Sequence, residues 1–247
     1  MTPARHRRFR DALAARGSLE AVPGVRFEKV GLRFPGRVVL EDVDLDLSEH
    51  RVGIVGANGS GKSSLVRMVN GLVWPTSGRV LVDGLDVASR AREVRRRVGF
   101  LFPDADHQIV MPTVREDLAF SLRGSGLPAE QVGARVEEAL DAFGLREHAD
   151  QPCYLLSGGE KQLLALAAVL LTEPAVVVAD EPTTLLDLRN LRAMADRLSA
   201  LEQQLILVTH HLELLRGFDR VVVLDEGRVV ADDEPDRALE RYVALLG

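Results

Sequence analysis

Apolar and polar positions change their period several times along this chain, and the changes mark out its elements. From Val25 the apolar residues fall in short β-rich segments, 25–32, 38–40 and 43–47, parted by turn formers such as Pro35-Gly36. Continuous apolar runs at 52–55, 175–179, 205–208 and 221–224 have the character of strands buried on both faces of a parallel sheet. Helical patterns occupy 62–71, 161–171 and 188–201. This alternation predicts an α/β layer architecture. Residues 112–147 differ, with two helical patterns and no strand, and read as an inserted helical lobe. Residues 1–22 are polar and basic and close on Val22-Pro23-Gly24. They read as an N-terminal extension whose Arg5, Arg7, Arg8 and Arg10 are solvated, contact with anionic lipid headgroups being the alternative.

Composition narrows the classes. Hydrophobic residues at 46% and charged ones at 28% suit a folded globular chain and exclude wholesale disorder. The longest apolar run, 163–171, is far short of the roughly 20 residues of a membrane span, so no crossing is expected. No apolar segment follows the N-terminal arginines, so no secretory leader is expected either. The single cysteine, Cys153, cannot form an internal disulfide and offers no metal-site spacing, which suits a reducing compartment. A net charge of −6 argues against nucleic acid unless a local basic patch opposes it. The arginines of 90–97 read instead as a solvated helix face before a strand at 98–102. Only three of the 31 basic residues are lysines, Lys29, Lys62 and Lys161, which draws attention to Lys62 between Gly61 and Ser63.

Gly56-Ala57-Asn58-Gly59-Ser60-Gly61-Lys62-Ser63 matches G-x-x-x-x-G-K-[ST], preceded by a strand pattern and followed by a helical one. Its glycines let backbone N–H groups close around phosphate oxygens at a helix N-terminus. Lys62 is expected on the β- and γ-phosphates and the Ser63 hydroxyl on Mg²⁺. The apolar run 175–179 ends in Asp180-Glu181, at the sheet edge where open α/β sheets bind ligands. Asp180 is expected to hold Mg²⁺ through water, and Glu181 to polarise an attacking water.

Leu156-Ser157-Gly158-Gly159-Glu160-Lys161-Gln162 completes the set. With it, residues 25–235 resemble the nucleotide-binding subunit of an ATP-binding-cassette (ABC) transporter. The resemblance implies a P-loop ABC ATPase fold: a RecA-like parallel-sheet core, an antiparallel β subdomain, and a helical subdomain near 104–160, all within 23–247. It also implies ATP and Mg²⁺ as cofactors. ATP binding would involve Gly56, Ala57, Asn58, Gly59, Ser60, Gly61, Lys62, Ser63 and Ser64, with Phe34 stacked on adenine; a core Phe on a strand is the alternative for Phe34. Ser157, Gly158 and Gly159 would close over the γ-phosphate of a second subunit, giving a homodimer or a heterodimer with a related ATPase. Asp187 would communicate between the sites. His210 would contact the γ-phosphate and join Glu181 as a catalytic residue; His210-His211 is not read as a metal pair, because neighbours on an extended strand point oppositely.

One position departs from the family. The glutamine usual after the 98–102 strand falls on Pro103, which has no polar side chain, so Asp104 or Gln108 substitutes or hydrolysis is slow. Gln108 is assigned with Ser63 and Asp180 to the metal. Residues 106–120, with Gln108-Ile109-Val110, Pro112-Thr113-Val114 and Glu116-Asp117-Leu118-Ala119-Phe120, are similar to the ATPase components of energy-coupling factor (ECF) importers, and suit a groove for a partner's coupling helix, ordinary packing of the helical lobe being the alternative. Pro182-Thr183-Thr184-Leu185-Leu186-Asp187-Leu188-Arg189-Asn190 and residues 100–108 most resemble the ATPase of bacterial biotin uptake systems.

The resemblance thus implies an ATP-hydrolysing motor of a vitamin or transition-metal importer, with biotin favoured. Its partners would be a membrane-embedded coupling protein and a substrate-binding membrane subunit, and its place the cytoplasmic face of the cell membrane. The alternatives are a nucleotide-dependent scaffold with little turnover, another ABC transporter including an exporter, and a chromosome-maintenance ATPase. The last needs a long coiled coil, and no sustained heptads occur between the phosphate loop and Ser157.

Overall fold

Ten strands and seven α-helices follow one another along residues 24–247, the residues that the computed structural model describes. The basic extension expected over 1–22 lies outside them. Strands β1 (Val25–Phe34), β2 (Arg37–Leu47), β4 (Ser77–Val82) and β5 (Leu85–Asp86) form an antiparallel sheet in the order β2-β1-β4-β5. The apolar segments at 38–40 and 43–47 belong to one strand. Glu41 and Asp42 stand opposite Gly31 alone, and Asp42 adopts φ +50°, a bulge that breaks the alternation without ending the strand.

A second sheet orders β3 (Arg51–Gly56), β6 (Val98–Leu101), β7 (Val176–Asp180), β8 (Gln204–Val208), β9 (Arg220–Asp225) and β10 (Arg228–Asp233) as β10-β9-β3-β8-β7-β6. Strands β9, β3, β8 and β7 run parallel, and every residue of β3, β7 and β8 is buried, which is why these segments are uninterrupted apolar runs. β10 returns antiparallel along the edge and is largely exposed, so its sequence carries little strand pattern.

Helices α1 (Lys62–Met68) and α7 (Pro235–Leu245) pack on this sheet, α1 against β3, β7 and β8. α2 (Val87–Arg97) packs on β4 and β5 through Val87 and Val94 and turns its arginines outward, the solvated face expected for 90–97. Arg97 pairs with Asp83, and Arg95 donates to the carbonyls of Asn70 and Gly71.

Leu101–Pro174 and Pro182–Glu202 form a separate compact unit. It contains α3 (Val114–Ser121), α4 (Ala129–Phe143), α5 (Gly158–Leu171) and α6 (Leu188–Ser199). The other three helices pack around α5, whose buried residues run through Leu164 to Leu171. A helix apolar on all sides is a core helix, which accounts for the longest apolar run of the chain.

In the parallel sheet, Val208 is in register with both Ile54 and Asp180. The segments that follow β3, β7 and β8 therefore leave the same edge side by side.

Candidate nucleotide site

Three chain-distant segments meet at that edge. After β3 the backbone turns through Gly56–Gly61, with no room for a side chain at either of these two glycines. A Cβ on Gly56, at φ +154°, would stand 2.1 Å from the Leu224 carbonyl oxygen. One on Gly61, at φ +103°, would stand 2.8 Å from that of Val39. Lys62 is buried, and its Nζ donates to the carbonyls of Gly56 (2.8 Å) and Ala57 (2.9 Å). Burial lowers its pKa, against the pull of Glu181 and Asp180. Gly61 at the start of α1 supplies no side-chain cap, as is also the case at α4 and α7, whereas α2, α3, α5 and α6 are capped by Asp86, Thr113, Ser157 and Asp187. A cleft of about 190 Å³ opens here, lined by Arg37, Asn58, Gly59, Lys62, Ser63 and Glu181 among others. Phe34 is the cross-strand partner of Arg37 and is 57% exposed, so it is not a core residue.

Asp180, the last residue of β7, is wholly buried. Ser63 Oγ donates to its Oδ1 at 2.8 Å, and Arg67 Nη2 pairs with its Oδ2 at 3.1 Å. Burial raises the Asp180 pKa, and the Ser63 hydroxyl and Arg67 charge oppose the rise. A carboxylate and a hydroxyl are the hard oxygen donors that Mg²⁺ accepts, the remainder of its shell being substrate phosphate and water. These residues therefore fit that ion. Glu181 follows in the left-handed region, φ +50°, with its N–H on the Val208 carbonyl. Its Oε1 lies 2.8 Å from Nε2 of His210, just beyond β8. His211 faces Glu213 instead.

In the helical unit, Ser157 caps α5 in a capping box. Its Oγ donates to Glu160 Oε2 (2.7 Å), and its N–H reaches the same oxygen (2.8 Å). These two bonds hold the Glu160 pKa low. Asp187 caps α6 by accepting the Asn190 N–H, and also accepts from Asn190 Nδ2. The Asn190 amide lies against Gly159, where a Cβ would meet Cγ at 2.5 Å. Gln108 Oε1 accepts from the Phe102 N–H, and buried Gln162 donates to the Phe102 carbonyl. Gln108 and Asp187 thus lie in the helical unit, as do Ser157, Gly158 and Gly159, whereas the phosphate loop, Asp180, Glu181 and His210 lie in the sheet unit.

The family model described as ABC transporter matches residues 40–184. The chain belongs to the ABC transporter family. It is 45% identical to the biotin transport ATP-binding protein BioM of Rhizobium etli over 88% of this chain and 97% of that protein. It is 45% identical to the energy-coupling factor transporter ATP-binding protein EcfA1 of Symbiobacterium thermophilum over 79% of this chain and 70% of that one. The structure of cbiO1 from Clostridium perfringens, part of the ABC transporter complex cbiONQ, superposes with a TM-score of 0.78 at 30% identity, covering 90% and 93% of the two chains. Within the ABC family these relatives place the chain among the ATPase subunits of energy-coupling-factor type.

Several residues of this ABC ATPase drew no individual role from the sequence: Arg37 and Arg67 lie outside every motif, whereas Gln162 and Asn190 end motif stretches without being singled out. Arg37 entered the cleft only through its pairing with Phe34. Asn190 and Gln162 act through packing on another segment. Arg67 carried a usable signal, since it lies four residues after Ser63 on a helix and positions i and i+4 share a face.

Proposed function

We propose that this subunit is the ATP-hydrolysing motor of an energy-coupling-factor importer whose cargo is biotin. One observation carries the motor reading: Lys62, Ser63, Asp180, Glu181 and His210, from three separate segments, converge at one sheet edge with Lys62 and Asp180 buried. ATP would lay its adenine on exposed Phe34 and its phosphates along residues 56–64. Lys62 binds the β- and γ-phosphates there. Ser63 and Asp180 would hold Mg²⁺, which supplies charge neutralisation on the phosphate oxygens. Glu181 accepts a hydrogen bond from the attacking water, and His210 holds Glu181 in place beside the γ-phosphate.

A second copy of the chain supplies Ser157, Gly158 and Gly159 over that phosphate. The Ser157 hydroxyl must first leave Glu160, which occupies it in the subunit alone. Gln108 Oε1, which accepts from the Phe102 N–H, keeps a second lone pair with which it could serve the metal. Among the described residues no helix is long and apolar enough to cross a membrane. On this reading the partners are a membrane-embedded coupling protein and a substrate-binding membrane subunit, with this chain peripheral on the cytoplasmic face. The biotin assignment is supported by the 45% identity to the Rhizobium etli protein.

The test is uptake of labelled biotin at nanomolar concentration in cells lacking this chain. Complementation by the wild type and failure of Glu181→Gln supports the reading. Undiminished biotin uptake in the deletion strain overturns the cargo. Affinity capture from native membranes, with bound small molecules identified by mass spectrometry, then names another. Pro103 favours a second reading, a nucleotide-dependent scaffold, which measurable Mg²⁺-dependent turnover of the purified chain would exclude.

A further inference from the structure

Ser63 and Arg67 lie one turn apart on α1, and from that shared face each takes one oxygen of the same carboxylate: Ser63 Oγ on Asp180 Oδ1 and Arg67 Nη2 on Oδ2. Asp180 is wholly buried, so solvent is not available to replace either donor. The terminal torsion of an aspartate is broad and roughly two-fold, and a single hydrogen bond leaves the carboxylate plane poorly defined. Two donors on opposite oxygens fix it.

The arginine makes this contact against an alternative. Its side chain is 38% exposed and could turn to water, yet its Nε is buried with no partner. Burying an unsatisfied N–H is unfavourable, so the pairing with Asp180 outweighs it. A guanidinium is permanently charged and rigid, properties that suit it to orient a buried anion without exchanging protons with it.

We infer that Arg67 is a positioning residue for the metal: by gripping Oδ2 it turns Oδ1 of Asp180 toward Ser63, so that the two proposed ligands are arranged before the ion arrives. The inference rests on the reading of this cleft as a Mg²⁺–ATP site. Partners that orient a ligand in this way tune metal affinity by about 10- to 100-fold.

The experiment uses the full chain in a Glu181→Gln background, which suppresses turnover, and Mn²⁺ as the probe. Mn²⁺ affinity is measured by electron paramagnetic resonance with ATP present, and ATP affinity is measured separately in EDTA. Arg67→Met should weaken Mn²⁺ binding about tenfold and leave ATP affinity in EDTA within twofold. Arg67→Lys, which keeps the charge, should recover most of the loss. Arg67→Gln carries the same test should the methionine variant not fold. Mn²⁺ affinity unchanged in the Met or Gln variant, with only a lower melting temperature, overturns the inference and leaves Arg67 a structural ion pair. Absence of ATP-dependent Mn²⁺ binding in the parent protein overturns the site reading itself, and the inference with it.

Discussion

Nε2 of His210 and Oε1 of Glu181 stand 2.8 Å apart although they lie beyond the ends of two different strands. Two backbone features bring them together. The Glu181 N–H is held by the Val208 carbonyl, and Glu181 adopts φ +50°, a conformation unfavourable for a side chain with a Cβ. Neighbouring strands thus bring loop residues together beside the cleft that Lys62 and Glu181 line.

A carboxylate placed this way is expected to act on water and not on ATP binding. Glu181→Gln should reduce turnover by about 10² to 10⁴-fold with nucleotide affinity within threefold, and ATP should accumulate a closed dimer detectable by size-exclusion chromatography. His210→Ala should also reduce kcat, with little change in KM, because Glu181 loses its orienting partner. Turnover near wild type in Glu181→Gln would remove that residue from its assigned role.

Much of this site was legible because ligand chemistry demands contiguous residues: the phosphate loop needs its glycines and lysine in fixed order, and Asp180-Glu181 close an apolar run. The parallel strands were legible for a related reason, being buried on both faces. What remained hidden depends on contacts between segments. β10 is an exposed edge strand with little pattern, the β2 bulge at Asp42 passed for a strand break, and Arg67 acts across the sheet edge on Asp180. The capping box of Ser157 and Glu160 follows a known sequence pattern, yet its consequence, a serine hydroxyl already engaged in the lone subunit, depends on a side-chain geometry that the pattern does not specify.

Gly159 and Asn190 form a pair that can be tested by a double-mutant cycle. A Cβ at 159 would sit 2.5 Å from the Asn190 amide carbon, and the bond from that amide to Asp187 hinders it from moving aside to relieve the overlap. Gly159→Ala should therefore destabilise the chain by roughly 1–3 kcal/mol. Adding Asn190→Ala should restore most of that in chemical denaturation. ATPase activity should stay low in the double variant, because on the proposed dimer the methyl group would still face the phosphate site of the second subunit.

Asp117 ties down the exposed loop that precedes α3. Its buried Oδ1 accepts the N–H groups of Val110 (2.9 Å) and Met111 (3.0 Å). Asp117→Ala should cost about 1–3 kcal/mol and speed hydrogen exchange at those two amides, whereas Asp117→Asn keeps an acceptor and should be milder. Burial raises the Asp117 pKa above its unfolded value. The folded state then binds that proton more tightly, a stabilising contribution complete below the unfolded pKa and lost as pH rises through the folded one. The stability of the wild type relative to Asp117→Asn should accordingly grow as pH falls from 7 toward 4. A flat difference would remove the burial argument.

The hairpin between β9 and β10 offers a gain in stability. Its two central residues, Glu226 and Gly227, both have positive φ, +45° and +78°, the pattern of a type I′ turn. Asn tolerates that region better than Glu. Glu226→Asn should raise stability by roughly 0.5 kcal/mol in denaturant titration, with ATPase activity unaltered.

Cys153 gives a chemical probe of the helical unit. Its thiol is buried, and that burial, reinforced by the nearby Asp117 and Glu116 charges, pushes its pKa up to about 11. Only the thiolate is nucleophilic, so at pH 8 the native thiol should react with disulfide reagents on the order of 100-fold more slowly than an unperturbed cysteine. Denaturant should release the full rate in one step as the helices around α5 separate. The native rate should climb tenfold per pH unit until the thiol titrates, provided the fold survives. A native rate at pH 8 equal to that of the unfolded chain would show that the 3₁₀ turn carrying Cys153, just before Ser157, opens without global unfolding.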